Sequence, residues 1–436
     1  MKAIAAAIVL SCGACIAGYA YADTMPPAAE PLPFDRTPVS IKDTPVLDRT
    51  HSGYEPVGIS AGDFTLYPQI GVGEWYDDNL FATTNQTVGD LRTVITPDLL
   101  AKSNWATNSA SLDLHGDIER YFDRPNEAVN DGGATGTAQY DGPDYLTLSG
   151  LADYEHETEA RSSTLSPRDV VRPIQFDFDN VQVGIARPFD RLRLSLTADL
   201  SETDFQDGVT PTRAPVVETI FDTQEAFLDG KVAYVINPDT AVVLDVTGNT
   251  RHFTHDAPAT VGAPAIDRDS SGFEITTGLN LALTHLLRAE LLAGYLDQTY
   301  VAGAVFRPVN GPTFHVKLDF LPTGLTTLSL DLDRKVNDAQ DATASSYLST
   351  KGHFQVDHEL YRNIIVSGSV DYEQDAYSGI RRLDDVLDGR VYVTYLMDRH
   401  FSIKATFDRL SVTSIGSARL PGYDVDQFSV TLVSRY

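Results

Sequence analysis

Long apolar runs, cysteines and basic residues are what this sequence has least of. Beyond its N-terminal segment no stretch approaches the continuous apolar run that a membrane-spanning helix needs, which excludes a helical membrane bundle. Cysteine occurs only at Cys12 and Cys15, both inside the apolar segment Ala3 to Ala20. Once that segment is removed, no disulfide framework, thiolate metal site or cysteine nucleophile remains. Lys and Arg number 33 against 61 Asp and Glu, a formal net charge of -28. Phosphate binding needs the opposite sign, so nucleic acid is excluded as a partner. Catalytic motifs are missing too: no G-x-S-x-G elbow and no H-E-x-x-H pair accompanies the 10 histidines. The expectation is a protein that is not an enzyme, with no catalytic residue, no metal site and no cofactor.

What is present begins at the N-terminus. Met1-Lys2 is a short positive region, an apolar segment follows, and Ala20-Tyr21-Ala22 fits the A-x-A cleavage rule. Residues 1–22 therefore read as a signal peptide, cleaved after Ala22; a lipobox at Cys12 would leave a much shorter apolar core. Pro26, Pro27, Pro31, Pro33, Pro38, Pro45 and Pro56 then interrupt residues 23–61, where no periodic pattern appears. That stretch reads as a disordered, proline-rich periplasmic arm. Residues 62–436 read as one domain.

In that domain a period of two prevails. Phe64, Leu66, Pro68, Ile70 and Val72 share one parity, with Thr65, Tyr67 and Gln69 on the other. Successive side chains of a strand point to opposite faces, so this is the strand period. Leu112, Leu114, Gly116 and Ile118 alternate with Asp113, His115, Asp117 and Glu119, which puts most of one face in charge. A soluble sandwich core does not tolerate that face; a sheet with lipid outside and water inside requires it. The pattern recurs at Leu192–Asp199, Val242–Thr247, Phe273–Leu281, Phe314–Phe320, Leu328–Asp333, Ile364–Asp371 and Phe401–Asp408.

Connections sort by length. Tight turns fall at Ala106–Asn108, Asp141–Asp144, Pro188–Arg191, Asn237–Thr240, Thr284–Leu286, Pro322–Gly324, Tyr361–Asn363 and Met397–His400. Longer polar connections separate them, from Asp77–Asp90 to Ser414–Gly422. Short periplasmic turns alternating with long extracellular loops are the habit of outer-membrane barrels. The fold class is thus all-β: a transmembrane antiparallel up-and-down barrel of about 18 strands (about 16 to 18), both ends periplasmic. The final segment Asp426 to Tyr436 alternates and ends in an aromatic, resembling the strand that barrel assembly machinery recognises, although Ser434 stands where an apolar residue is usual.

The parity opposite the lipid face then lists the candidate lumen. Its acidic lining comprises Asp113, Asp117, Glu119, Asp199, Asp245, Glu290, Asp319, Asp331, Asp333, Asp371 and Glu373. His115, Arg193, Glu274, Arg288, Lys317, Lys404 and Asp408 share that parity. Carboxylates along a bore lower the barrier for cations and repel anions; a wall of paired acids and bases would select nothing. Tyr76, Phe81, Tyr121, Phe122, Phe205, Phe253, Tyr300, Tyr372, Tyr377 and Tyr395 sit near strand ends and read as an interfacial aromatic girdle. Asp77-Asp78-Asn79 has turn chemistry and lacks the ligand spacing of an EF-hand.

The order of strand with Pro68, then Tyr76-Asp77-Asp78-Asn79-Leu80-Phe81, then Ile95-Thr96-Pro97 and Trp105 resembles the "putative β-barrel porin 2" family. These are outer-membrane β-barrels of Gram-negative bacteria, often associated with exopolysaccharide production and export. The resemblance implies an outer-membrane, porin-like conduit for small solutes or saccharides, linked to such a system. The alternative is a closed structural barrel binding polysaccharide or protein through its extracellular loops. Expected partners are outer-membrane lipid and lipopolysaccharide, the barrel assembly machinery, and polysaccharide or export proteins. Nothing in the sequence marks a subunit interface, so a monomer is expected.

Overall fold

The structure is a computed structural model that describes residues 44–258, 265–284, 286–341 and 343–436. The signal peptide, with its cleavage after Ala22, and residues 23–43 of the arm lie outside the described residues. Eighteen long strands follow one another: β1 (Phe64–Asp77), β2 (Asp90–Ser103), β3 (Ser109–Tyr121), β4 (Val129–Asp141), β5 (Thr147–Thr158), β6 (Gln175–Phe189), β7 (Leu192–Phe205), β8 (Thr223–Asn237) and β9 (Thr240–Phe253). The series continues with β10 (Ser270–Thr284), β11 (Leu287–Tyr300), β12 (Val309–Thr323), β13 (Thr326–Asp338), β14 (Ser346–Tyr361), β15 (Ile364–Ser378), β16 (Leu383–Leu396), β17 (Phe401–Ile415) and β18 (Tyr423–Arg435). Each is antiparallel to its chain neighbour, and β18 returns to pair with β1 from Gln69↔Arg435 to Asp77↔Gln427. The ring is closed, so no long strand has a free edge. The short strand Ile59–Ala61 lies beside the start of β1.

One face of each strand is apolar and bare. Ile70 and Val72 on β1, Leu112 and Leu114 on β3, Val181 and Val183 on β6, Leu194 and Leu196 on β7, and Val430 and Leu432 on β18 are all exposed. Registers such as Leu114↔Leu99 and Val246↔Ile275 place these residues side by side around the ring. A continuous apolar surface of this extent is far beyond the patches that water-soluble monomers display, and fits a hydrocarbon surround. No helix of the described residues is long and apolar enough to cross a membrane. Ser434 lies in register between Ile70 and Phe401, at the end of the barrel with the short turns.

The Tyr76–Phe81 motif fastens the seam. Asp77 Oδ1 accepts the Asn79 N–H at 2.8 Å, an Asx turn, and Asp77 Oδ2 accepts from Gln427 Nε2 at 2.8 Å. Asn79 is buried and donates its side-chain amide to the carbonyls of Asp424 (2.7 Å) and Thr83 (2.9 Å). Asp78 accepts the N–H of Asp426 at 2.8 Å. Three consecutive polar residues thus tie the first strand to the last, which turn chemistry alone does not require.

The arm departs from its sequence reading. Residues 44–57 bond to inward-facing residues of the ring, and Ile59–Ala61 pairs with the wall. Val46 is buried and donates its N–H to Thr327 Oγ1 at 2.8 Å. Arg49 donates to the carbonyls of Thr44 (2.8 Å) and Gly324 and lies 3.5 Å from Glu359. Arg435 donates to the carbonyl of Tyr54 at 3.1 Å. Apart from Thr44, these partners lie 275 to 381 residues away in the chain, so no local pattern could announce them. At Gly58 the backbone turns with φ +73°, and an added Cβ would stand 2.5 Å from Thr65. Only glycine suits that turn.

Candidate bore and its constriction

The inward parity carries the charge, as alternation predicts. Asp113, Asp117 and Glu119 lie on β3, Asp199 on β7, Asp245 on β9, Glu290 on β11, Asp319 on β12, Asp331 and Asp333 on β13, and Asp371 and Glu373 on β15. All take the parity opposite the exposed apolar residues of their strands. Side chains from non-neighbouring strands meet in the interior: Arg251 of β9 contacts Asp338 of β13 at 3.0 Å, and Tyr300 of β11 donates to Ser346 of β14 at 2.6 Å.

Two walls differ in electrostatics. From β8 to β17 acids and bases are interleaved. Lys231 lies 3.1 Å from Asp245 and 3.6 Å from Glu290. His315 bridges Glu274 and Asp333, each at 2.5 Å, His353 meets Asp371 at 2.8 Å, and Arg390 meets Asp408 at 3.0 Å. Lys317 stands opposite Asp331 in register, and Arg288 opposite Asp319. Asp199 is held by Asn180 (3.1 Å) and Gln182 (3.4 Å), Asp319 by Ser329 (2.8 Å) and Glu373 by Ser349 (2.7 Å).

From β2 to β5 the wall is acidic. Asp98, Asp113, Asp117, Glu119, Asp131, Asp153, Glu155 and Glu157 share the inward parity there. Among the described residues its inward bases are Arg92, Lys102 and His115. Arg92 is spent on Glu119 (3.2 Å) and Asp77 (3.8 Å) beside the rings of Trp75 and Tyr121, and His115 on Glu155 (2.9 Å). Asp117 and Asp131 face each other across strands. Two like charges about 4 Å apart repel by roughly 1 kcal/mol in bulk water and about 4 kcal/mol where water is thinned out. Such a wall lowers its own free energy by drawing in cations.

At the end with the long connections, residues 159–174 between β5 and β6 cross to the opposite wall. By the shorter way round, β4, β3, β2, β1, β18 and β17 separate β5 from β16. Yet the Thr164 carbonyl accepts from Arg382 (2.9 Å), beside the start of β16, and the Ser162 carbonyl accepts from Tyr423 of β18 (2.6 Å). Arg168 donates to the Ala82 carbonyl (2.7 Å) and stacks 4.5 Å from the Tyr423 ring. Leu165 packs on Ala339, Ala344, Tyr347 and Tyr377. At its root, Arg161 forms a two-pronged bond with Glu127 at 2.9 Å and 2.9 Å. Phe176, Phe178, Phe205 and Phe221 pack with Val170 and Ile174 beneath it. Beside this crossing lies a cavity of about 660 Å³, lined among others by Asn180, Asp199, Lys231, Arg251, Glu290 and Tyr347. Burial, then the neighbouring Glu218, pushes the Glu159 carboxyl up to about 8, and burial raises Glu218 to about 7.

The aromatic girdle holds for Tyr76, Phe122, Tyr372 and Tyr395, which are exposed. It fails for Phe205, Phe253, Tyr300 and Tyr377, which are buried in the bore. Parity carried the signal: Phe205 shares that of Asp199, and Phe253 that of Asp245. The sequence reading did not include Asp98 of β2, Asp131 of β4, or Asp153, Glu155 and Glu157 of β5; for Asp131 the reason is that β4 is a weak glycine- and threonine-rich strand (GGATGT) that hides its own period.

No curated protein matches the chain. Solved proteins of Pseudomonas aeruginosa, the outer membrane protein OpdK among them, are similar in structure. OpdL shares 13% identity, covering 86% of this chain and 99% of its own, at a TM-score of 0.42. OccK2 (OpdF) shares 10%, covering 86% and 97%, at 0.44, and OpdK 11%, covering 85% and 99%, at 0.40. The profile of the family described as "Putative beta-barrel porin 2" matches residues 52–436, nearly all of what the structure describes. The chain is a porin-type β-barrel and belongs to that family.

Proposed function

We propose that this barrel is a cation-preferring conduit of the outer membrane, passing small hydrophilic solutes, neutral saccharides included, by diffusion. Its long connections face the exterior and its short turns and both ends of the chain the periplasm, in keeping with loop length in such barrels. The observation that carries the reading is the β2–β5 wall, where eight inward carboxylates (Asp98, Asp113, Asp117, Glu119, Asp131, Asp153, Glu155 and Glu157) outnumber their bases. Carboxylate-lined bores favour cations through long-range field and local pairing. The family resemblance adds a link to exopolysaccharide production or export, and the acidic wall suits a neutral sugar better than an anionic one. In planar bilayers under a salt gradient, the reversal potential has the sign of a cation-selective pore; anion selectivity or a silent barrel overturns the reading. A closed scaffold is the second reading, favoured by the crossing of residues 159–174, and silence in that assay is its signature.

A further inference from the structure

The segment 44–57 is unlike a linker in one respect: it makes its bonds to the interior of the ring. Thr327 and Glu359 have the inward parity of β13 and β14, shared with Asp331 and Asp357, and Arg435 has that of β18. Val46 is 0% exposed and Thr327 beneath it 1%. Burial raises the Asp48 carboxyl above the ordinary range, and the inward-facing Asp319 and Asp357 add to the rise. From Thr327 on β13 to Arg435 on β18 the segment passes β14, β15, β16 and β17, then joins the wall at Gly58 and Ile59–Ala61. It therefore runs as a chord inside the mouth formed by the short turns.

We infer that residues 44–57 are a releasable stopper of the short-turn mouth, seated by Val46 and Arg49. The stopper has two kinds of seat. Val46 is held by apolar burial and one hydrogen bond to Thr327. Arg49 is held by the Gly324 and Thr44 carbonyls and by Glu359. His51 lies 3.9 Å from the same Glu359. A handful of polar bonds and one valine are weak beside the ladders that hold each wall strand, so the segment comes away while the barrel stays closed. Its effect on flow rests on the conduit reading; its seating does not.

The test uses the full chain, whose mature part has no native cysteine to confuse labelling. Thr327→Cys in the otherwise native chain resists a small water-soluble maleimide, and adding Val46→Asp with Arg49→Ala raises its labelling rate at least tenfold. The pair Val46→Cys and Thr327→Cys forms a disulfide under mild oxidation. In bilayers the oxidised pair conducts several-fold less than the same protein after reduction, and the unseated variant conducts several-fold more than the native chain. Equal labelling of Thr327→Cys in the native and unseated chains overturns the stopper, as does equal conductance of the oxidised and reduced pair in a barrel that conducts. Protection of Thr327→Cys with every variant silent leaves the seat standing and sinks the conduit instead. The double-cysteine pair compares one folded protein with itself, so a folding defect in the unseated variant does not blur the result.

Discussion

Asn79 donates its buried side-chain amide to the carbonyl of Asp424 at 2.7 Å, across the seam where the first and last strands meet. Its neighbours Asp77 and Asp78 take bonds from Gln427 and Asp426. The three form one clasp, so removing the central member strands two carbonyls that water reaches poorly. Leaving a buried group unpaired costs about 1–3 kcal/mol. Asn79→Ala is expected to lower the temperature at which the barrel loses its folded mobility in detergent electrophoresis by several degrees. An unchanged transition shows that the ladder alone holds the seam.

The two walls make a differential prediction about selectivity. Asp117→Asn, Asp153→Asn and Glu155→Gln together halve or abolish the cation preference in reversal-potential measurements. Asp371→Asn, whose carboxylate is already matched by His353 at 2.8 Å, shifts it far less. A larger effect from Asp371→Asn than from the triple variant refutes the assignment of the acidic wall.

The crossing of residues 159–174 rests on few anchors, and two of them are single side chains. Tyr423→Phe removes the hydroxyl bond to Ser162, and Arg382→Ala the bond to Thr164. Each is worth about 1 kcal/mol, more for the charged donor. The expected result is a roughly fivefold increase in the rate of current fluctuations, with larger open steps in the double variant. Quiet, native-sized steps would show that the crossing leaves the path of ions clear.

The same crossing has a pH dependence with a definite sign. Glu159 sits at about 8 and Glu218 at about 7, both raised above the ordinary 4.5 chiefly by burial. A raised carboxyl means that the seated form holds protons that the released form gives up. The stabilisation from seating is complete below pH 4.5 and fades as pH climbs through about 7 to about 8. Protease cleavage within residues 159–174 is therefore slow at pH 5.5 and fast at pH 9, and Glu159→Gln flattens that difference. Faster cleavage at the acidic end contradicts the sign.

How far the sequence announced this molecule can be judged from particular stretches. Leu112–Glu119 declared both faces of its strand, since in a ring with lipid outside the side-chain period alone decides which residues meet water. Loop lengths declared the number of strands and their up-and-down order. Ser109–Tyr121 could be read alone; Val129–Asp141 could not, because glycine and threonine carry little polarity contrast. The acidic wall was thus half visible. The crossing of residues 159–174 and the seating of residues 44–57 were not visible at all. Both depend on partners such as Arg382 and Thr327, 218 and 281 residues distant, and distance of that kind leaves no trace in a local pattern.

The seam has a further consequence, for how such a chain comes to be folded. Asp78 and Asp426 are separated by 348 residues, so one rim of β1 lacks its partner until nearly everything else has been exported. Throughout that interval the rim is an open template for any extended peptide nearby. The ring is therefore completed only when β18 pairs with β1, from Gln69↔Arg435 to Asp77↔Gln427.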